Sequence, residues 1–469
     1  MSTEIEIESA LDGERHHSPG VHLSYGLGGF LDNFLTGAFS LHVFYYYEVE
    51  LGVPAFPFML VAYVVYGLWN MFNDPIAGYL SDKPYKFVRK WGRRFPLFLS
   101  MAFPYSVVYL LIFSPPGASP SIDAWVGFGW LLFTTCLFDW VYSFWQTNWL
   151  AAFPVKFQGQ KERARAGAST TYFGVLGIAA GMLVPSELIE FGDLGSYIRS
   201  AAVVAVVGLA VAAAMIPGMR EGDEIKELAA KCVETEDPVK FFEALKAAFT
   251  SKNFLSYAFV YLAQLVLMTL GLGSLDYFAR YVLGEEASAV TIIGAGLLVG
   301  GLVSTPVWER YARNRGNRKA YLWGSLFPAI ALVPLMFVDD LASSVFFVVL
   351  LGLAIGGAWT LMFPAYSDVI DELIIKTGKR NEGVYTGIRT VFGRLPFVLQ
   401  ALVFSAIHHV TGFDQDPYSP LAQFGIRVHM ALVPIVFYLV GFVMMLLVHD
   451  LTPERVAANK AKLREMGKI

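Results

Sequence analysis

Twelve long apolar stretches constrain this chain more than anything else in it. Their cores fall at 24–47, 56–80, 95–113, 125–153, 168–189, 197–217, 254–279, 288–309, 320–337, 342–366, 384–409 and 428–449. Each comes close to the roughly 20 residues that a helix needs to cross the hydrocarbon of a bilayer. Hydrocarbon offers the backbone no water, so a segment of that length must pair its own N–H and C=O groups, as a helix does. Of the 469 residues 55% are hydrophobic and only 16% charged, the composition of a membrane protein rather than of a soluble enzyme.

The loops set the orientation. Thirty of the 35 Lys and Arg share one side if both ends lie there: they fall in 83–94, 156–165, 220–252, 310–319, 376–380, after 454, and at Arg15. The other side holds Arg199, Arg280 and Arg427, and Arg389 and Arg394 fall within the eleventh stretch. Cations collect on the cytoplasmic side. The expectation is therefore a multi-pass protein of the cell (plasma) membrane with both termini cytoplasmic. Residues 1–22 are polar and lack an apolar h-region, so they read as a cytoplasmic tail and not a signal peptide. The longest polar break, 219–252, contains a stretch with helical apolar spacing (238–249) and reads as a linker with an amphipathic helix. It parts a six-helix half at 23–218 from another at 253–450, with a second cytoplasmic tail at 451–469. The fold class expected is all-α, twelve transmembrane helices in two six-helix halves, acting as a monomer.

Several function classes drop out. No G-x-x-x-x-G-K-[ST] loop is present for a nucleotide phosphate, and no Cys or His cluster has metal spacing. Cys136 lies in an apolar stretch and Cys232 in a polar one, which argues against a disulfide framework. A net charge of −4 leaves no footprint for nucleic acid. His408 and His409, at the outer end of a stretch, read as a solvated pair. No enzymatic chemistry and no cofactor is expected.

What remains are the polar residues inside apolar stretches. An ionised group in hydrocarbon costs roughly 2.5–3.5 kcal/mol on insertion scales, so it normally faces a bundle interior or water and marks function. Asn70, Asn73 and Asp74 share one face of the second stretch, just before the basic loop Lys83–Arg94. The first carries Asp32 and Asn33, which a helix cannot aim at the same point. The fourth has Asp139, Gln146, Thr147 and Asn148, the tenth Trp359 and Asp368, the eleventh Arg389, Arg394 and Gln400. For Asp74 and Arg394, deep in their stretches, a functional role is the better reading. Asp82 with Arg93 or Arg94, and Asp368, Asp371 and Glu372 with Arg380, sit at cytoplasmic ends and read as ion pairs of a gate or loop lock.

The chain also resembles a known family. N-D-P-I-x-G at Asn73–Gly78 precedes a basic loop ending W-G-R-R at Trp91–Arg94. Further matches are L-S-Y-G-L-G-G-F (Leu23–Phe30), F-Y-Y-Y (Phe44–Tyr47) and S-D-V-I-D-E (Ser367–Glu372). These are similar to the glycoside–pentoside–hexuronide:cation symporters, the branch of the major facilitator superfamily that includes the melibiose carrier and has vertebrate lysolipid carriers as distant relatives. The resemblance implies a major-facilitator fold and secondary transport by alternating access. In the sodium-coupled sugar carriers helix II holds two carboxylates one turn apart; the second matches Asp74, but the first position is Asn70 here. The helix I acid that contacts sugar falls on Asn33, the helix IV acid on Gln146 and the helix XI lysine on Arg394. A helix V arginine falls near Thr171 and is absent.

The expected function is thus transport of a small polar solute, a sugar or glycoside by family default, with Asp32, Asn33, Gln146, Trp359 and Arg394 toward the solute. Asn70, Asp74 and Thr147 would serve a coupling cation, H+ or Na+. With one carboxylate left among neutral oxygens, sodium would be held weakly, so proton coupling or facilitated diffusion is expected over sodium coupling. A lipid or lysolipid carrier of the same fold, and a membrane sensor that does not transport, are the other readings.

Overall fold

The computed structural model describes residues 17–81, 85, 87–157, 160–222, 246, 248–378 and 382–466. Among these residues all regular structure is helical. The long helices are α1 (Pro19–Tyr45), α2 (Leu60–Ser81), α3 (Phe95–Ile112), α4 (Ala124–Lys156), α5 (Gln160–Leu188), α6 (Leu194–Ala214), α7 (Lys252–Val266), α8 (Ser288–Arg315), α9 (Asn317–Leu332), α10 (Leu341–Thr377), α11 (Glu382–Thr411), α12 (Val433–Leu447) and a terminal α13 (Pro453–Glu465). Helix α7 runs on through π-turns at Leu267–Gly271 and Phe278–Leu283, and α12 is entered through Pro420–Arg427 and a π-turn at Val428–Leu432. Twelve apolar stretches thus become helices. Eleven are both long and apolar enough to cross a membrane; α1 has the length, 27 residues, but carries His22, Asp32 and His42 among its apolar residues. The amphipathic linker expected at 238–249 falls almost wholly outside the described residues.

Local chemistry sets where helices start and stop. Asp123 accepts from the N–H groups of Trp125 and Val126 at the start of α4, Asp340 from Ser343 at α10 and Ser419 from Ala422 before α12, each filling an otherwise empty first turn. Gly378, at φ 68°, ends α10 in the left-handed conformation that suits glycine. That end lies past the apolar core at 366, so Asp368, Asp371 and Glu372 stand on helix and not on a loop.

The chain divides into two compact units: 1–52 with 68–236, and 53–67 with 237–469. Helix α2 therefore gives its first turns to the second unit and the rest to the first. In the first unit α1 packs against α5 with backbone nearly touching backbone. A Cβ on Gly29 would lie 2.3 Å from Thr170 O, and one on Gly177 would lie 2.5 Å from Phe30 O. Small residues permit such approach between apolar helices, where dispersion rather than water drives packing. In the second unit α8 and α10 meet in the same way through Gly300 and Gly352.

The tail after 450 folds back. Helix α13 buries Leu463 and ties its Arg455 to Glu372 at 2.9 Å and to Asp450 at 2.7 Å. Lys252 lies 2.6 Å from Asp450. Burial raises the Asp450 pKa, but hydrogen bonds from Lys252 and Asn253 and the charge of Arg455 outweigh it and hold the carboxyl down at about 2. A carboxyl depressed in the folded state stabilises fully above its unfolded pKa, about 4, and that contribution is lost as pH falls from there toward 2. Hydrogen exchange in Pro453–Glu465 should therefore accelerate between pH 4 and 2. Asp450→Asn should show the faster exchange at pH 7 and a flatter dependence; an unchanged profile in the variant would mean that Asp450 does not hold this helix.

A polar seam between α2 and α4

Helix α2 presents Trp69, Asn70, Asn73, Ala77 and Ser81 at helical spacing, and α4 answers with Cys136, Asp139, Ser143 and Asn148. Trp69 Nε1 donates to Cys136 O at 3.1 Å, and Asn148 donates to Ser81 Oγ at 2.9 Å. Between these ends Asn70 Nδ2 donates to Asp139 Oδ1 (2.6 Å) and Asn73 Nδ2 to Asp139 Oδ2 (2.9 Å). Asn73 Nδ2 also reaches Ser143 Oγ at 2.9 Å, and Ser143 donates to Asp74 Oδ1 at 2.6 Å. Asn70, Asn73, Asp139 and Ser143 are buried at 2% exposure or less, while Asp74 is half-buried.

This arrangement corrects the expectation that Asp74 stands alone among neutral oxygens. A second carboxylate, Asp139, lies across Ser143 from it. Each amide and the hydroxyl turns a donor toward a carboxylate. Asn73 Oδ1 is buried and, among the described residues, accepts no hydrogen bond. The seam thus offers carboxylate, hydroxyl and amide oxygens together, the hard donors an alkali cation takes; two neighbouring carboxylates also bind a shared proton. Thr147 is half-buried one turn beyond Ser143, and among the described residues no hydrogen bond joins it to this group. Gln146 does not join it either.

Gln146 goes instead to α1. Its Nε2 lies 3.1 and 3.3 Å from the two oxygens of Asp32 and donates also to the Tyr142 hydroxyl. Asn33 turns away, its amide donating to Gly29 O at 2.9 Å on its own helix and lying against Gly174 of α5. The structure thus brings Asp32 and Gln146 together and leaves Asn33 with the α1–α5 packing.

In the second unit Trp359 on α10 is 44% exposed. Arg394 on α11 is half-buried with its charge acting on Tyr261, whose hydroxyl would lie 3.0 Å from a Cβ at Gly393. One and a half turns earlier Arg389 lies over the rings of Tyr261 and Tyr366, 5.0 and 4.8 Å from their centroids. That is a cation–π seat for a charge inside an apolar bundle.

Of the expected gate, Asp82 and Arg380 lie outside the described residues. Arg93 and Arg94 stand at the start of α3, where their backbone N–H groups, with that of Phe95, donate to Glu221 at 3.1, 2.6 and 2.9 Å. Asp368 accepts from Asn317 at 2.8 Å, and Asp371 is half-buried nearby. Sequence reasoning missed Glu221; Glu372, expected among the ion pairs of this end, takes Asn253 and Arg455 at 2.9 Å each.

Comparison with known proteins places this architecture. The chain is 21% identical to the sodium-dependent lysophosphatidylcholine symporter 1 of Xenopus tropicalis, over 85% of this chain and 81% of that one. It is 24% identical to a putative sulfoquinovose importer of Salmonella typhimurium, over 84% and 82%. In structure it is similar to the nucleoside transporter NupG, with a TM-score of 0.64 and 12% identity, over 90% of this chain and 98% of that one. The MFS/sugar transport protein family model matches residues 24–451. With twelve long helices and a match that spans nearly all of them, this chain belongs to the MFS/sugar transport protein family and is a membrane transporter, not an enzyme.

Proposed function

We propose that this chain is a cation-coupled symporter of a small polar solute, a sugar or glycoside, of the glycoside–pentoside–hexuronide:cation type and working by alternating access. The observation that carries the reading is the Asp74–Ser143–Asp139 group, in which a half-buried and a buried carboxylate are joined through one hydroxyl and two amides and together offer a cation several hard oxygen donors. With Asp139 close to Asp74, sodium is the coupling ion proposed first and a shared proton the second. Asp32 and Gln146 would meet the solute in the first unit, and Trp359 and Arg394 in the second. An amide beside a carboxylate provides both donors and acceptors for hydroxyls. The test is binding of a panel of sugars, glycosides and polyols to the purified protein, followed by uptake into proteoliposomes. Saturable uptake lost in Asp32→Ala supports the reading; uptake of none of them contradicts it.

A lysolipid carrier is the second reading. It is favoured by the 21% identity with the sodium-dependent lysophosphatidylcholine symporter 1 of Xenopus tropicalis over 85% of this chain; the second unit also carries a small apolar recess lined by Leu267, Leu272, Leu297, Leu332, Leu351 and Met430. Competition by lysophosphatidylcholine against the best sugar separates the two.

The orientation rests on the thirty-to-three division of cations. Single cysteines at Ser119 and Gly316 should label from opposite faces, Ser119 from outside. Labelling of both from one face would contradict the proposed orientation with cytoplasmic termini.

A further inference from the structure

Helix α13 is short and polar, and only a narrow stripe of it is covered. Val456, Asn459 and Leu463 lie at helical spacing on its inner face, while Ala457, Ala458, Ala461, Lys462 and Glu465 are exposed. Leu463 is fully buried in an apolar cluster with Val369, Leu373 and Ile374 of α10, and Val456 packs against that cluster. Between the two, Asn459 Nδ2 is buried and, among the described residues, meets no hydrogen-bond acceptor. A buried donor without an acceptor costs free energy, so this amide works against docking. A helix of 13 residues is also marginal by itself in water. Helix α13 therefore depends on being docked, by a face that holds it weakly.

The root of this tail is fixed more firmly than its body. Asn253, at the start of α7, donates to Asp450 Oδ1 (2.8 Å) and accepts from the Asp450 N–H (2.9 Å). Arg318, at the start of α9, donates to His449 O at 2.8 Å. Pro453 rests on Gly316, where a Cβ would come within 2.7 Å of the proline ring. From this root Arg455 holds Asp450 at 2.7 Å and crosses to Glu372 of α10 at 2.9 Å. Glu372 also takes Asn253 at 2.9 Å and Lys376 at 3.5 Å, so release of Arg455 strands no buried charge. Helix α10 has a bending point before this end. Pro364 has no N–H for the carbonyl four residues back, that of Thr360. The part beyond it, 365–377, is the part that carries Glu372 and the apolar cluster around Leu463.

We propose that α13 is a detachable strap, which when docked ties the end of α10 beyond Pro364 to α7 and to the α8–α9 turn, and when undocked leaves that end free to bend. Undocking removes the ionic tie and leaves the amide bonds from Asn253 to Glu372 and from Asn317 to Asp368. Local opening of this kind is expected of an element with few buried apolar contacts. The test uses full-length protein in nanodiscs at constant pH, without solute, and follows hydrogen exchange in α13 and in residues 365–377. Arg455→Gln cuts the tie to Glu372, and Leu463→Ala weakens docking without touching an ion pair. Each should speed exchange in both segments, by about tenfold for Arg455→Gln, as loss of a hydrogen bond to a buried charge implies. Asn459→Leu replaces the unsatisfied amide with an apolar group of similar size and should slow exchange in both segments. That variant tightens docking, so the test does not rest on variants that lose stability. Exchange that changes in α13 alone, or that is not slowed in Asn459→Leu, would overturn the proposal. The readout needs no transported solute, so its outcome is separate from that of the transport reading.

Discussion

Uptake driven by a cation gradient is expected to collapse in Asp139→Asn. The carboxylate takes Asn70 on one oxygen and Asn73 on the other. An amide there keeps one acceptor and turns its own NH2 toward a second donor, so one bond is lost and a repulsive contact replaces it. The negative charge that would hold the cation also disappears. Loss of that charge is expected to weaken cation binding by at least roughly tenfold, about 1.4 kcal/mol. Ser143→Ala should cost less, because it removes the bridge and leaves both acids. Measured as the cation concentration for half-maximal uptake, the order wild type, Ser143→Ala, Asp139→Asn is expected. Equal values in all three would remove this seam as the coupling site.

The second large effect is structural. Gly177→Val should abolish folded, monodisperse protein, because the new Cβ would meet Phe30 O at 2.5 Å and Phe30 Cα at 2.8 Å. Both are backbone atoms, so no rotamer relieves the clash and α1 must move off α5. Overpacking of this kind costs about 3 kcal/mol or more. Gly167→Ala on the same helix meets nothing within 4 Å and serves as the control. It should be neutral or slightly stabilising, since alanine favours helix over glycine by about 1 kcal/mol. Equal yields of the two variants, read by size-exclusion chromatography, would contradict the close α1–α5 packing.

Helix number and approximate extent were legible because apolar length alone dictates them. Helical spacing also put Asn70, Asn73 and Asp74 on one face. Which helix that face meets was not legible, since periodicity along one helix says nothing about its neighbour. Asp139 was visible as an acid in the fourth stretch, yet only its contact with Asn70 and Asn73 shows that it belongs with Asp74. Ser143 gave no signal at all, because a serine in a span is compatible with simple close packing. The reverse failure is His408: read with His409 as a solvated pair, it is buried and lies 3.3 Å from His429 Nε2, while His409 is exposed. Helix ends beyond the apolar cores, such as α10 to Thr377, are set by glycine and capping and not by hydropathy.

In the proposed cycle a cation held between α2 and α4 would drive solute movement. This is tested most directly by imposing either a sodium gradient or a pH gradient across proteoliposomes and following accumulation of the solute, in wild type and in Asp74→Asn. Wild type is expected to accumulate solute against its gradient under the sodium gradient, or under the pH gradient if the two acids share a proton instead. In either case Asp74→Asn should only equilibrate the solute. Accumulation under either gradient that survives in Asp74→Asn would contradict the account.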